Sequence, residues 1–305
     1  MFLKIKPGFT KNKITEKFFY IYFLLYFSIT PLIISSIYFF IDFDSYDAII
    51  KGGWAWSSYS NEPVSASLLM ILHYFSLGAF ELYFITWIIA FIFFVIILLK
   101  LGKSFGVLYI YLILNPVSII LLQFSRQYLA FLLFLMSIFF IQSKFKSVSY
   151  LVLSVLSHNA SALFSLLFYL LIKSSFYRFV STLIISIIGF YFMTSIFFSQ
   201  YTVHETDKGR GRVLIVLLTL LFFIVLSLKR TKISFSLIVL SVFLVISFAI
   251  SPQAGRFSPY FIAILAFYGF YNFKESSSII LIHLFFIVNI LISFTIVSMG
   301  WFGFG

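Results

Sequence analysis

The stretch Phe18–Ile41, FFYIYFLLYFSITPLIISSIYFFI, decides the fold. Its 24 residues contain no Asp, Glu, Lys or Arg. A helix needs about 20 predominantly apolar residues to cross the hydrocarbon core of a bilayer, and this run exceeds that length. Lys4, Lys6, Lys11, Lys13 and Lys17 precede it against the single acid Glu16. A basic lead-in also fits a secretory signal, but the run is too long for one and lacks a small-residue cleavage site. It therefore reads as a first membrane anchor, with the N-terminus on the cytoplasmic side.

Outward from that anchor the same pattern recurs as far as Ser298. Of 305 residues, 62% are hydrophobic and 10% charged, whereas soluble domains carry about a quarter charged residues. Backbone polar groups in lipid must be satisfied internally, and continuous apolar runs without alternation select helices over a barrel. The expected fold class is all-α: a polytopic transmembrane helix bundle forming one integral membrane domain over residues 1–305. The count is about ten or eleven spans, short re-entrant helices included. The net charge of +12 suggests nucleic acid only until the charges are placed. They sit in short clusters between apolar runs, as topology signals. The absence of cysteine excludes disulfides and thiol chemistry.

Charge placement predicts the path. Residues 42–62, with Asp42, Asp44, Asp47, Glu62, Trp54 and Trp56, lie outside. Residues 63–78 form an interfacial or half-inserted helix, and 80–99 return to Lys100 and Lys103. Residues 105–122 go out and 127–142 return to Lys144 and Lys146. The 26 residues between Lys146 and Lys173 are too few for two full crossings. They read as two short helices, dipping in and out, with His158 at the apex. Further crossings follow at 179–198, 213–227, 233–251, 258–273 and 277–298, with an external loop at 199–212.

This path gathers Arg126, Lys208, Arg210, Arg212 and Arg256 on the outer face with Asp42, Asp44, Glu62 and His158. Cations there run against the positive-inside tendency, and an anionic ligand supplies a physical reason for them. Each has a bland alternative. Arg126 could snorkel or pair with Asp42, His158 could be a satisfied interior histidine, and the Asp42-x-Asp44 pair suits a solvated loop. The run Lys208-Gly-Arg-Gly-Arg212 could fold over a phosphate or be an ordinary charged loop. His73 and His283 read as packing residues. No zinc-type His spacing and no glycine-rich nucleotide fingerprint occurs, so neither a metal nor a cofactor is expected.

Asp44-Ser-Tyr46, Asn61-Glu62-Pro63, Arg126-Gln127-Tyr-Leu-Ala130, His158-Asn-Ala-Ser-Ala-Leu163 and Arg256-Phe-Ser-Pro-Tyr260-Phe261 follow in this order. The set resembles the EpsG-type branch of the Wzy oligosaccharide polymerases, and it reaches over most of the chain. Val64-Ser65 departs from the Gly or aromatic that this family often carries after its Glu-Pro pair. The resemblance implies a GT-C-like enzyme of a bacterial inner membrane, with its site facing the periplasm. It would join undecaprenyl-diphosphate-linked oligosaccharides into a surface polysaccharide, as in O-antigen, without metal or nucleotide. A chain-length regulator protein is an implied partner, and nucleic acid is not. His158, Glu62 and Asp44 are then candidate bases. Arg126, Arg256, Arg210 and Arg212 would hold the diphosphate, and Gln127, Tyr46 and Tyr260 would position substrate.

Competing readings are a membrane acyltransferase acting on glycans and a lipid-linked oligosaccharide flippase or transporter. An O-antigen ligase-like enzyme would share the glycosyl transfer. No Arg/His signature near the N-terminus favours the acyltransferase, and no internal repeat favours the transporter.

Overall fold

The computed structural model describes residues 13–158, 210–228, 258–272 and 276–299, and every regular element among them is helical. Helix α1 (Lys13–Ser36) runs into a short 3-10 turn at Ile37–Phe39. Three short helices follow: α2 (Phe43–Gly52), α3 (Ala55–Tyr59) and α4 (Pro63–Tyr74). Next come α5 (Ala79–Leu101), α6 (Lys103–Leu114), α7 (Pro116–Leu122), α8 (Ser125–Phe139) and α9 (Lys144–Ser157). Beyond residue 209 are α10 (Arg210–Leu228), α11 (Ser258–Asn272) and α12 (Ser276–Ser298).

Helices α1 (with its 3-10 extension), α5 and α12 are long and apolar enough to cross a membrane. Each buries one stripe and leaves apolar side chains exposed on the other, as Phe84, Ile88 and Ile92 do on α5. A water-facing helix would carry polar residues there; a lipid-facing one does not need them. Crossings expected at 179–198, at 233–251 and beyond His158 lie outside the described residues.

Aromatic contacts fix the direction of the first pair. Tyr26 stacks on Trp87 at 5.3 Å and on Phe91 at 5.9 Å, while Phe19 meets Phe94 at 6.4 Å. Rising numbers on α5 meet falling numbers on α1, so the two run antiparallel. Helix α6 turns back along α5, with the Tyr109 hydroxyl donating to the Ala90 carbonyl at 3.0 Å. Helix α12 packs on α6 through parallel Tyr111 and Phe286 rings 3.5 Å apart and a Ser293 bond to the Leu114 carbonyl.

The stretch read as one crossing at 105–122 is broken, its halves α6 and α7 meeting at 61°. Asn115 and Pro116 cause the break. Proline has no N–H to continue the helix and suits a first helical position. The Asn115 side chain accepts from Ser118 N at 3.1 Å as the N-cap of α7 and donates to the Leu112 carbonyl at 2.6 Å. Helix α4, at twelve residues and about 18 Å, is too short for a crossing. Its length fits the expected interfacial or half-inserted element.

Helices α1–α9 and residues 280–299 belong to one compact unit, α10 and α11 to another. In the latter, a Cβ on Gly269 of α11 would run into the Phe223 ring of α10, so glycine sets their close approach.

Candidate active site

Two serines of α9 build the site's foundation. Ser147 Oγ donates to the Ser137 carbonyl of α8 at 2.8 Å, and Ser154 Oγ to the Ala130 carbonyl at 2.7 Å. Seven residues forward on α9 match seven residues back on α8, an antiparallel register held by small side chains that let the backbones approach. Continued to the end of both helices, that register sets His158 opposite Arg126. Helix α4 joins through Ser65, whose hydroxyl donates to the Ser157 carbonyl at 2.6 Å.

Three helix ends thus converge. Glu62 is the N-cap residue of α4, but its side chain does not cap that helix, so both carboxylate oxygens are available elsewhere. Oε1 lies 2.7 Å from His158 Nδ1, and Oε2 accepts from Arg126 Nη1. His158 is the C-cap residue of α9, in extended backbone, and Arg126 sits in the first turn of α8. Glu62 and His158 are buried. A buried charge requires a partner, and Glu62 and Arg126 neutralise one another.

Two tyrosines hold the guanidinium. Arg126 Nε donates to Tyr46 Oη at 3.1 Å, and the Tyr59 ring lies 3.6 Å from the Arg126 Cζ. Burial pushes the Tyr46 hydroxyl up to about 12, with Arg126 pulling the other way, so it stays protonated at neutral pH. The same burial raises Tyr59.

What remains open decides the chemistry. Among the described residues, Arg126 Nη2 and His158 Nε2 make no hydrogen bond. A carboxylate on Nδ1 fixes the proton there and leaves the Nε2 lone pair outward, the tautomer a general base requires. The unused guanidinium edge offers N–H donors to an anion. Among the described residues no group of three or more His, Asp or Glu gathers to hold a metal.

The other candidate residues fall differently. Asp44 is exposed on α2, whereas Tyr46 is buried. Two residues apart on a helix is about 200° of rotation, so the pair faces opposite ways. Gln127 is half-buried beside Arg126, and its side chain makes no hydrogen bond among the described residues. The carboxylate that pairs with Arg126 is Glu62 and not Asp42. Arg256 and the side chains of Arg210 and Arg212 lie outside the described residues. The backbone of α10 already includes Arg210 and Arg212, where the sequence reading has an external loop. Tyr260 is buried in α11, within the other unit. Tyr59, Ser147 and Ser154 escape the sequence reading, and Ser65 enters it only as a departure from the family pattern; the seven-residue Ser147–Ser154 spacing offered a signal.

No protein-family model, curated protein or solved structure matches the chain.

Proposed function

We propose that the chain is a polytopic, GT-C-like membrane glycosyltransferase that polymerises lipid-diphosphate-linked oligosaccharides at the outer face of a bacterial inner membrane. The observation that carries this reading is His158, oriented by Glu62 through Nδ1 and open at Nε2, beside the open edge of Arg126. The order of short motifs along the sequence, which resembles the Wzy polymerases, supplies the substrate class.

The acceptor sugar's hydroxyl gives its proton to His158 Nε2 as its oxygen bonds to the donor's anomeric carbon. The bond from that carbon to the diphosphate oxygen breaks, and the diphosphate leaves with the electron pair. Arg126 Nη2 donates to the departing oxygens. Glu62 holds the imidazole and balances its charge once protonated, so it acts as a positioning residue. Asp44 takes no part.

The test is deletion of the gene in its host, with surface polysaccharide resolved by gel electrophoresis. The expected strain makes a single repeat unit, restored to full polymer by the wild-type chain and not by His158→Ala or Arg126→Ala. An unchanged ladder with altered acylation would transfer the weight to the acyltransferase. An unchanged ladder with a transport defect would favour the flippase.

A further inference from the structure

We infer that the ends of α2 and α4 form an aromatic collar embedded in the headgroup layer of the bilayer, and that the Glu62–Arg126–His158 site opens at that depth. The N-terminus of α5 marks the place, because α5 is long and apolar enough to cross a membrane. Tyr38 stacks on Phe80 in its first turn, ring centroids 5.3 Å apart. Asp47 accepts from the Ala79 N–H at 3.1 Å and pairs with Lys51 at 2.5 Å, which brings the end of α2 to the same point. His73 Nδ1 donates to the Ile50 carbonyl at 2.7 Å and ties the end of α4 to the end of α2. Gly53 turns the chain there at φ +67°, and a Cβ on it would meet the His73 ring at 2.9 Å. Trp54, Tyr74 and Phe75 flank this knot.

These side chains are among the most exposed of the unit: Tyr74 81%, Phe75 64%, Tyr38 62% and Trp54 60%. Tyrosine and tryptophan so exposed are at home at the membrane–water boundary, where the ring lies among acyl chains and the polar edge among headgroups, and Phe75 adds apolar surface to them. Lys51, exposed beside them and paired on one side with Asp47, has ammonium donors left over for a headgroup phosphate while its stem stays apolar. The collar is also continuous with the exposed apolar flank of α5 at Phe84, Ile88 and Ile92. One lipid phase covers both surfaces.

The site's depth follows from the same helix. Tyr46 packs edge-on against Tyr83 at 6.0 Å, and Tyr46 bears the hydrogen bond from Arg126. Tyr83 lies four residues into α5, about 6 Å along its axis from the collar. A ligand anchored by a lipid tail therefore meets Arg126 without leaving the bilayer. This holds whatever reaction the site performs.

The chain has no cysteine, so a single introduced one carries a unique spin label. Tyr74→Cys and Trp54→Cys, each in the full chain, are labelled with a nitroxide and reconstituted in vesicles of phosphatidylcholine and phosphatidylglycerol. Because both positions are on the surface, each variant is expected to elute as wild type does. Collision with molecular oxygen, which concentrates in lipid, is compared with collision with a water-soluble nickel chelate. An oxygen-to-nickel collision ratio above that of the same label free in water is expected at both positions. A ratio equal to the free label's at either position puts the collar in water and overturns the inference. Exclusion of both reagents means that a second copy or another protein covers the patch, and overturns it equally. Neither result bears on whether Arg126→Ala loses polymer, so the two proposals fail separately.

Discussion

Two buried histidines of the same unit, His158 and His283, have opposite arrangements of partners. His283, on the crossing-length helix α12, has Tyr22 Oη 3.2 Å from Nδ1 and Thr15 Oγ1 3.1 Å from Nε2, and the Phe18 ring stacks on it at 4.4 Å. Both nitrogens are spent on neutral hydroxyls, and no charged group is among those partners. His158 spends one nitrogen on a carboxylate and keeps the other, beside a guanidinium that also keeps an edge. Burial is the same in kind at both; the unspent valence of Nε2 is what sets His158 apart.

Exchanging the two losses gives the largest expected effect. His158→Gln retains a hydrogen-bonding group for Glu62 but has no basic nitrogen. Transfer of lipid-linked oligosaccharide should fall roughly 10²–10⁴-fold, the usual contribution of a general base, with little change in Tm. His283→Leu should do the reverse. Losing the imidazole's hydrogen bonds to the Tyr22 and Thr15 hydroxyls costs about 1 kcal/mol or more, read as a fall in Tm with turnover per folded molecule retained. Equal loss of turnover in the two variants would erase the distinction.

A smaller effect sharpens the role of the guanidinium. Arg126→Lys keeps the charge but loses the fork that reaches Tyr46 and Glu62 together, and the flat face against Tyr59. One charge-assisted hydrogen bond is worth about 1.5–3 kcal/mol, so turnover should drop at least roughly tenfold. Near-normal turnover would reduce Arg126 to a point charge.

The smallest effect comes from the ion pair of Asp47 with Lys51. Slight burial raises the Asp47 carboxyl, but the bonds from Lys51 and the Ala79 N–H outweigh it and hold the carboxyl below its ordinary value. A depressed folded-state pKa contributes stability above the unfolded value and loses it as pH falls through the folded one. The Tm gap between wild type and Asp47→Asn should therefore be present at neutral pH and close in acid below the ordinary carboxylate range. A gap that persists there would mean that the hydrogen bonds, and not the charge, anchor α2 to α5.

Much of the architecture was legible because lipid imposes a simple rule on sequence: α1, α5 and α12 announce themselves as long apolar runs, with charge confined to the ends of α1 and α5 and absent from α12. The bend between α6 and α7 was also written there, in Asn115-Pro116, but apolar continuity across 105–122 masked it. The site was legible in its parts. Glu62, Arg126 and His158 stood out as polar groups beside apolar runs; the α8–α9 register joins Arg126 to His158, and the Ser65 contact of α4 brings Glu62 to them. Asp44 and Tyr46 stand two residues apart in the sequence, and the helix turns them to opposite sides, which the D-x-D spacing does not show. Tyr59 left no mark, since a ring lying on a guanidinium is a tertiary fact without a sequence period.

The serine stitch has a consequence for how this chain can drift over generations. Each hydroxyl of α9 grips a main-chain carbonyl of α8, and a carbonyl is present whatever side chain stands above it. Ser147 and Ser154 are therefore held by their chemistry, whereas Ala130 and Ser137 are held only by size. Substitutions should accumulate unevenly across the hairpin, with one helix of the pair free to explore small residues and the other keeping its two hydroxyls seven apart. A distant descendant could be recognised by that spacing ahead of a histidine long after its apolar runs had ceased to align.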